Sequence, residues 1–239
     1  MAAVRGLLLI ADMGGYTEYM STHRMSLAHA EVNTSRLLER VIDAVPHLEL
    51  IEIEGDAAFL YRQTDTEDPE RLVDEVLRAA VAMHRAFHVE REYVATNLCP
   101  CAGCKEAANL TLKFVAHVGD VATQTIRQRL KLVGIDVILV HRLLKNTVPL
   151  REYVLLTEHL CGGVSPAPAG PLQQIAADLE GIGPVRSFYV DVAGLEGSAA
   201  PLPSPTWRGR LGRTAYAAGA GLPYMLGRRR HHATAAVPA

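Results

Sequence analysis

Residues 4–12 constrain this chain more than any other stretch. Leu7–Ala11 is apolar without alternation, so as a strand it is buried rather than half-solvated. Asp12 ends the run well short of a signal-peptide core, and no stretch approaches the ~20 apolar residues of a membrane span. With 49% hydrophobic and 21% charged residues among 239, a wholly disordered or collagen-like chain is excluded. The length suits one sizeable core with additions. The expectation is a soluble, cytoplasmic protein whose four cysteines remain thiols or metal ligands rather than disulfides.

Periodicity assigns the remaining elements. Residues 26–45 read as a helix with Leu37, Leu38, Val41, Ile42 and Val45 on one face. Residues 48–54 and 57–61 flank Gly55-Asp56, a turn signal between two strand-like runs, and so form a hairpin. Pro69 opens a long helix with the stripe Val73, Val76, Leu77, Ala80, His84 and Phe87. Residues 110–118 alternate, with Leu112, Phe114, Ala116 and Val118 on one side and Lys113, Val115 and His117 on the other. Residues 135–145 form a helix that is apolar almost all round, which calls for cover on two sides, one of them a partner chain. Residues 185–192 close the core as a strand. This order predicts an α+β fold, helices packed on a mostly antiparallel sheet.

Charge divides the chain. The net charge is −2, yet Arg208, Arg210, Arg213, Arg228, Arg229 and Arg230 follow Trp207 without an acid, leaving 18 basic against 26 acidic residues elsewhere. Residues 193–206, with Pro201, Pro203 and Pro205, read as a linker. The expected organisation is a domain over 1–192, the linker, and a flexible basic tail over 207–239. Glycines and Pro223 weaken any helix there, so a disordered extension is expected over an amphipathic segment lying on an anionic membrane; such a tail could equally dock on the acidic core of its own dimer. No nucleic-acid fold motif accompanies the arginines.

Asp12 precedes Gly14-Gly15-Tyr16-Thr17 and a helical run, where free backbone N–H groups can hold phosphate oxygens. Asp56 lies in the hairpin turn. If the two strands are neighbours, the carboxylates meet at one edge of the sheet and suit Mg²⁺, with substrate oxygens completing its shell. A helix cap and a turn former would also explain them. The residues around them resemble class III nucleotidyl cyclases. The segment 8–17 resembles that family's first metal motif and 52–57 its second; His117-Val118-Gly119-Asp120 is similar to its His-x-Gly strand end; 134–143 stands where the family has a Gly-x-x-Val-Asn-x-x-x-Arg helix; and 181–185 resembles its closing segment. The resemblance implies a ferredoxin-like βααββαβ sheet, a homodimer with shared active sites, and a nucleoside triphosphate as ligand. It implies Asp12 and Asp56 as ligands for two Mg²⁺ or Mn²⁺ ions, Gly14, Tyr16 and Thr17 around the phosphates, and Arg142 stabilising the transferring phosphoryl group.

Two departures alter that chemistry. The family asparagine is Ile138 here, which donates no hydrogen bond. Losing one such donor costs ~3–4 kcal/mol of transition-state stabilisation, so turnover is expected to be weak or absent. The adenine-reading lysine and aspartate are replaced by Glu52 and Lys131, the opposite polarity. A carboxylate with an ammonium suits guanine, or a base such as uracil, unless the two residues pair with each other or face solvent. An active guanylyl-type cyclase and a non-catalytic interaction module are the alternative functions.

Cys99-Pro100-Cys101-Ala102-Gly103-Cys104, within the loop 97–106, places three thiols in six residues. The run suits a structural zinc, with His84, His88 or Cys161 as fourth ligand, a redox pair, or reduced thiols.

Overall fold

The computed structural model describes residues 3–22, 27–65, 68–99, 102–127, 129–162, 172–198 and 201–225. Strand β1 (Val4–Gly14) lies inside a mixed sheet, between β3 (Ala57–Gln63) and β4 (Thr111–Ile126), antiparallel to both. The order continues through β2 (Glu49–Glu54) on one side, and β6 (Tyr153–Thr157), β8 (Gly183–Asp191) and β7 (Gln173–Leu179) on the other. Among the described residues only the β4–β6 pair is parallel, and β5 (Arg129–Val133) forms a hairpin with the end of β4.

The position of β1 explains its composition. Leu7, Leu9 and Ala11 enter one buried cluster, while Leu8 and Ile10 enter the cluster on the opposite face. The first face is covered by α2 (Leu27–Asp43) and α3 (Pro69–Ala95), through Leu37, Val41, Val76, Met83 and Phe87. Asp68 caps α3 by accepting from the Glu70 N–H, and Pro69 fills the first turn, where no N–H is needed. The second face receives Leu139, Val140 and Leu143, from α5 (Ile135–Arg142) and the residue after it. Cover is therefore partial for α5: within the single chain Ile135 and Ile138 stay about half exposed.

The mixed α+β architecture agrees with the sequence reading, but several elements lie outside it. Strands β5, β6 and β7 are among them: β5 alternates over only five residues, and β6, equally short, is buried throughout. The linker and tail need the larger correction. Leu195 joins the core beyond residue 192, and, after the short helices α4 (Ala102–Glu106) and α6 (Glu158–Cys161), Trp207–Met225 form a helix, α7, packed on α2 and α3. Propensity argues against that helix; tertiary contacts make it. The Glu90 side chain, 2% exposed on α3, receives Arg213 at 2.7 Å through both carboxylate oxygens, Arg36 at 2.9 Å and Arg40 at 3.5 Å. Arg213 lies over the Tyr93 ring and Arg36 over that of Tyr216. Gly209, unfavourable in a helix, leaves room for Tyr93, which a Cβ there would strike. Arg228, Arg229 and Arg230 lie outside the described residues.

Candidate functional site

Pairing of β1 with β3 sets Asp12 opposite Ala57, immediately after Asp56. The Met13 N–H donates to the Asp56 carbonyl oxygen at 3.2 Å, tying strand to turn. Two distant acids thus become neighbours at the edge of the sheet made by the strand ends, where β1 finishes and β3 begins. Burial, then the charge of Asp12, pushes the Asp56 carboxyl up to about 6; a backbone hydrogen bond and Lys113 offset part of that rise. Tyr16, which opens the seven-residue helix α1 (Tyr16–Thr22), has its hydroxyl pKa raised by burial and then by Asp56 and Glu31. Thr17 is exposed, and Gly14 ends β1 opposite Thr111.

Lys113 is the member that sequence reasoning missed. Its Nζ lies 3.1 Å from Asp12 Oδ2 and donates to the Leu144 carbonyl oxygen at 3.3 Å. The register Asp12↔Lys113 between β1 and β4 makes the contact. Alternation places Lys113 on a strand face but says nothing of which acid lies opposite. One ammonium beside two carboxylates leaves a net deficit of positive charge.

The His-x-Gly segment has a structural role. His117 is fully buried; its Nδ1 meets Thr157 Oγ1 at 2.8 Å and its Nε2 meets Asp136 Oδ1 at 3.1 Å. Asp136 also accepts the Asp120 N–H at 2.7 Å, and these bonds, His117 first, hold its carboxyl below the usual range. A Cβ at Gly119 would collide with that carboxylate. The motif therefore anchors the start of α5, which aims the residues behind it.

Arg142, at the end of α5, is exposed near Gly181 and has no ion-pair partner among the described residues. Its neighbour His141 instead contacts Glu54 at 3.2 Å and the edge of Phe59. Glu52 is half-buried on β2, and Lys131 is exposed on β5, which comes alongside β2. Among the described residues the two form no salt bridge with each other. A cavity of about 470 Å³ opens beside the turn, lined by Tyr16, Met20, Thr34, Leu38, Ile53 and Gly55. Its size falls in the range of small-ligand sites. A larger groove of about 900 Å³ runs past Arg62, Asp74 and Glu75, away from the aspartates.

The thiols and histidines sort differently from the sequence expectation. Cys99 and Cys104 group with His29 of α2, each sulfur 3.9 Å from His29 Nδ1. Cys101 lies outside the described residues. His84 and His88 instead meet Glu152, with Nε2–oxygen distances of 3.0–3.2 Å and 2.9 Å between the two ring nitrogens. Burial opposes ionisation of Glu152, but hydrogen bonds from both histidines outweigh it and keep the carboxyl well below its usual value; burial lowers the His88 pKa. Cys161 is buried in the core, its thiol pushed up to about 12 by burial. Among the described residues neither the two α3 histidines nor Cys161 groups with Cys99 and Cys104: the histidines face Glu152, just before β6, and Cys161 lies in the core. No described helix is long and apolar enough to cross a membrane.

Comparison with known proteins agrees with this architecture. Solved structures sharing the fold include the guanylyl cyclase Cya2 (TM-score 0.59, 14% identity, 84% of this chain and 98% of that one). They also include the guanylate cyclase domain of RhGC from Catenaria anguillulae in complex with GTP (0.53, 13%, 78% and 96%). A third is an adenylate/guanylate cyclase/hydrolase from Silicibacter pomeroyi (0.51, 17%, 79% and 97%). The "Uncharacterized protein Rv2561/Rv2562" of Mycobacterium tuberculosis (strain ATCC 25618 / H37Rv) is 34% identical over 194 residues, 81% of this chain and 89% of its own length. The family model described as "Protein of unknown function (DUF2652)" matches residues 34–153, which include Asp56, the cysteine run, Lys113 and Arg142 but not Asp12. The chain belongs to the DUF2652 family, built on the fold of class III nucleotidyl cyclase domains.

Proposed function

We propose that this chain binds a nucleoside triphosphate together with a divalent cation at the Asp12–Asp56 edge, as a homodimer, with cyclase turnover weak or absent. The observation that carries this reading is the pair itself: two adjacent carboxylates, one with its pKa raised to about 6, and a single resident ammonium. Such a pair is stabilised by added positive charge, and a bound Mg²⁺ or Mn²⁺ supplies it while polarising phosphate oxygens. Lys113 provides part of the charge that two cations would bring. One ion therefore suits the nucleotide-free chain, and the triphosphate brings the negative charge that retains a second.

The remaining support is distributed. Ile138 stands where the cyclase helix has its asparagine, which argues for binding over turnover. Exposed Ile53, Ile126, Ile135 and Ile138 on β2, β4 and α5 offer apolar surface to a second copy, from which Arg142 would reach the phosphates. Glu52 and Lys131, lacking a bridge to each other, remain available to a guanine edge; this favours an active guanylyl-type cyclase as the second reading.

The test is equilibrium binding of GTP, ATP, CTP and UTP with Mn²⁺, with a parallel assay for cyclic product and pyrophosphate. Mn²⁺-dependent binding that Asp56→Asn abolishes is expected. Absence of binding to all four overturns the proposal, and ATP bound in preference to GTP overturns the role of Glu52 and Lys131.

A further inference from the structure

We infer that His29, Cys99 and Cys104 hold a zinc ion that fastens the helical layer beside the carboxylate edge. The three residues come from two distant stretches: His29 lies in the first turn of α2, while Cys99 and Cys104 flank the start of α4 (Ala102–Glu106) after the long helix α3. Their ligand atoms lie within 4.8 Å of one another, and both sulfurs are 3.9 Å from the same imidazole nitrogen. A tetrahedral zinc with Zn–S ≈ 2.3 Å and Zn–N ≈ 2.0–2.1 Å spaces sulfur and nitrogen about 3.6 Å apart. The site is thus already near the size the ion requires.

The surroundings are those of a supported ligand set. Cys104 is fully buried, and Asn33, one turn beyond His29 on α2, donates Nδ2 to Cys104 Sγ at 3.8 Å and to Tyr19 Oη at 3.1 Å. Donors to a ligand thiolate are the outer-shell contacts that fix a metal site. Around Cys99, Asn97 Oδ1 accepts the Cys99 N–H at 2.8 Å, and Thr214 Oγ1 of α7 accepts the Leu98 N–H at 2.9 Å. The ion would join α2 to the end of α3 and α4. Through Asn33 and Tyr19 it would brace α1, the helix opened by Tyr16. Two thiolates with imidazole favour zinc over magnesium, calcium or manganese, which prefer oxygen. The inference is independent of nucleotide binding: the ligands serve whether or not a triphosphate occupies the aspartate edge.

The experiment is metal analysis of the full chain purified without chelator, followed by exchange with Co²⁺. One zinc per chain is expected, and the Co²⁺ form should show thiolate-to-cobalt charge-transfer absorption with the visible bands of tetrahedral coordination. His29→Gln should weaken retention at least tenfold, and Cys104→Ser should lose most of the charge-transfer band. Because Cys104 is buried, His29→Cys provides a folding-independent check: it should keep the ion and strengthen the charge-transfer band. His88→Gln should leave content and spectrum unchanged. Metal-free protein whose thiols react freely without denaturant overturns the inference, as does a disulfide or other redox pair in place of the ion. An ion lost in His88→Gln but kept in Cys104→Ser overturns it too, as does a Co²⁺ spectrum unchanged in both His29 variants.

Discussion

Asp56 and Glu90 are both partly desolvated carboxylates, and their surroundings send them in opposite directions. Glu90 is met by Arg213, Arg36 and Arg40; burial alone would raise its pKa, but the arginine bonds outweigh it and keep the carboxyl below its usual value. Asp56 is met by another acid and shares one lysine with it, and its pKa rises to about 6. The first carboxylate has more cation than it needs and acts as a clasp between α2, α3 and α7. The second has less than it needs, which is the condition for recruiting a cation from solution. Burial is common to both; charge balance separates a structural acid from a candidate ligand.

The strongest test of that contrast is a gain of function. Restoring the missing donor with Ile138→Asn is expected to raise cyclic-product formation by ~10²–10³-fold, the value of one such hydrogen bond, measured by product chromatography with Mn²⁺ and GTP. No gain would mean that more than this donor separates the pocket from catalysis. Asp56→Asn should weaken Mn²⁺-dependent nucleotide binding by at least ~100-fold, since even outer-shell partners of a metal are worth 10–100-fold; titration calorimetry measures it. Glu90 should respond in stability instead. Arg213→Met is expected to cost about 2 kcal/mol in urea unfolding, less than the ~3–5 kcal/mol of a fully orphaned buried charge, because Arg36 remains.

Smaller effects concern pH. Asp56 holds its proton up to about pH 6 in the folded chain, against an ordinary value near 3.9 when unfolded. The folded state therefore binds more protons across that window, so stability falls as pH rises from about 4 to about 6. Asp56→Asn should flatten that fall, and saturating Mn²⁺ at pH 7 should reverse it; melting temperature against pH reads both. Lys113→Gln removes the cation that opposes the rise and should move the midpoint upward by less than about one pH unit. A downward shift would show that Lys113 does not face the pair.

Much of the fold was legible because burial leaves a period. The unbroken apolar run of β1, the stripe of α3 and the Gly55-Asp56 turn each report on local geometry and on which face meets the core. The candidate site was legible as far as Asp12 and Asp56, whose neighbours carry the cyclase-like pattern. Lys113 was not, because its role depends on which residue of β1 it faces across the ladder. His29 was invisible for a similar reason: a histidine in the first turn of a helix carries no mark of thiols seventy positions away. Asn33 and Tyr19, which link that cluster to α1, are equally unmarked.

Legible from the residues alone are an α+β chain with a strand buried on both faces, a pair of acids at strand ends, a thiol run, and an isoleucine where the resembled family has an asparagine. These follow from periodicity and side-chain chemistry, which are local. Contacts between residues far apart in the chain set the pairing register that gives Asp12 its lysine, the assembly of His29 with the cysteines, and the docking of the segment Trp207–Met225. Its glycines weaken a helix in isolation. A buried glutamate on α3 needs counter-charge, however, and desolvated charge is costly enough to order a segment that propensity would leave free.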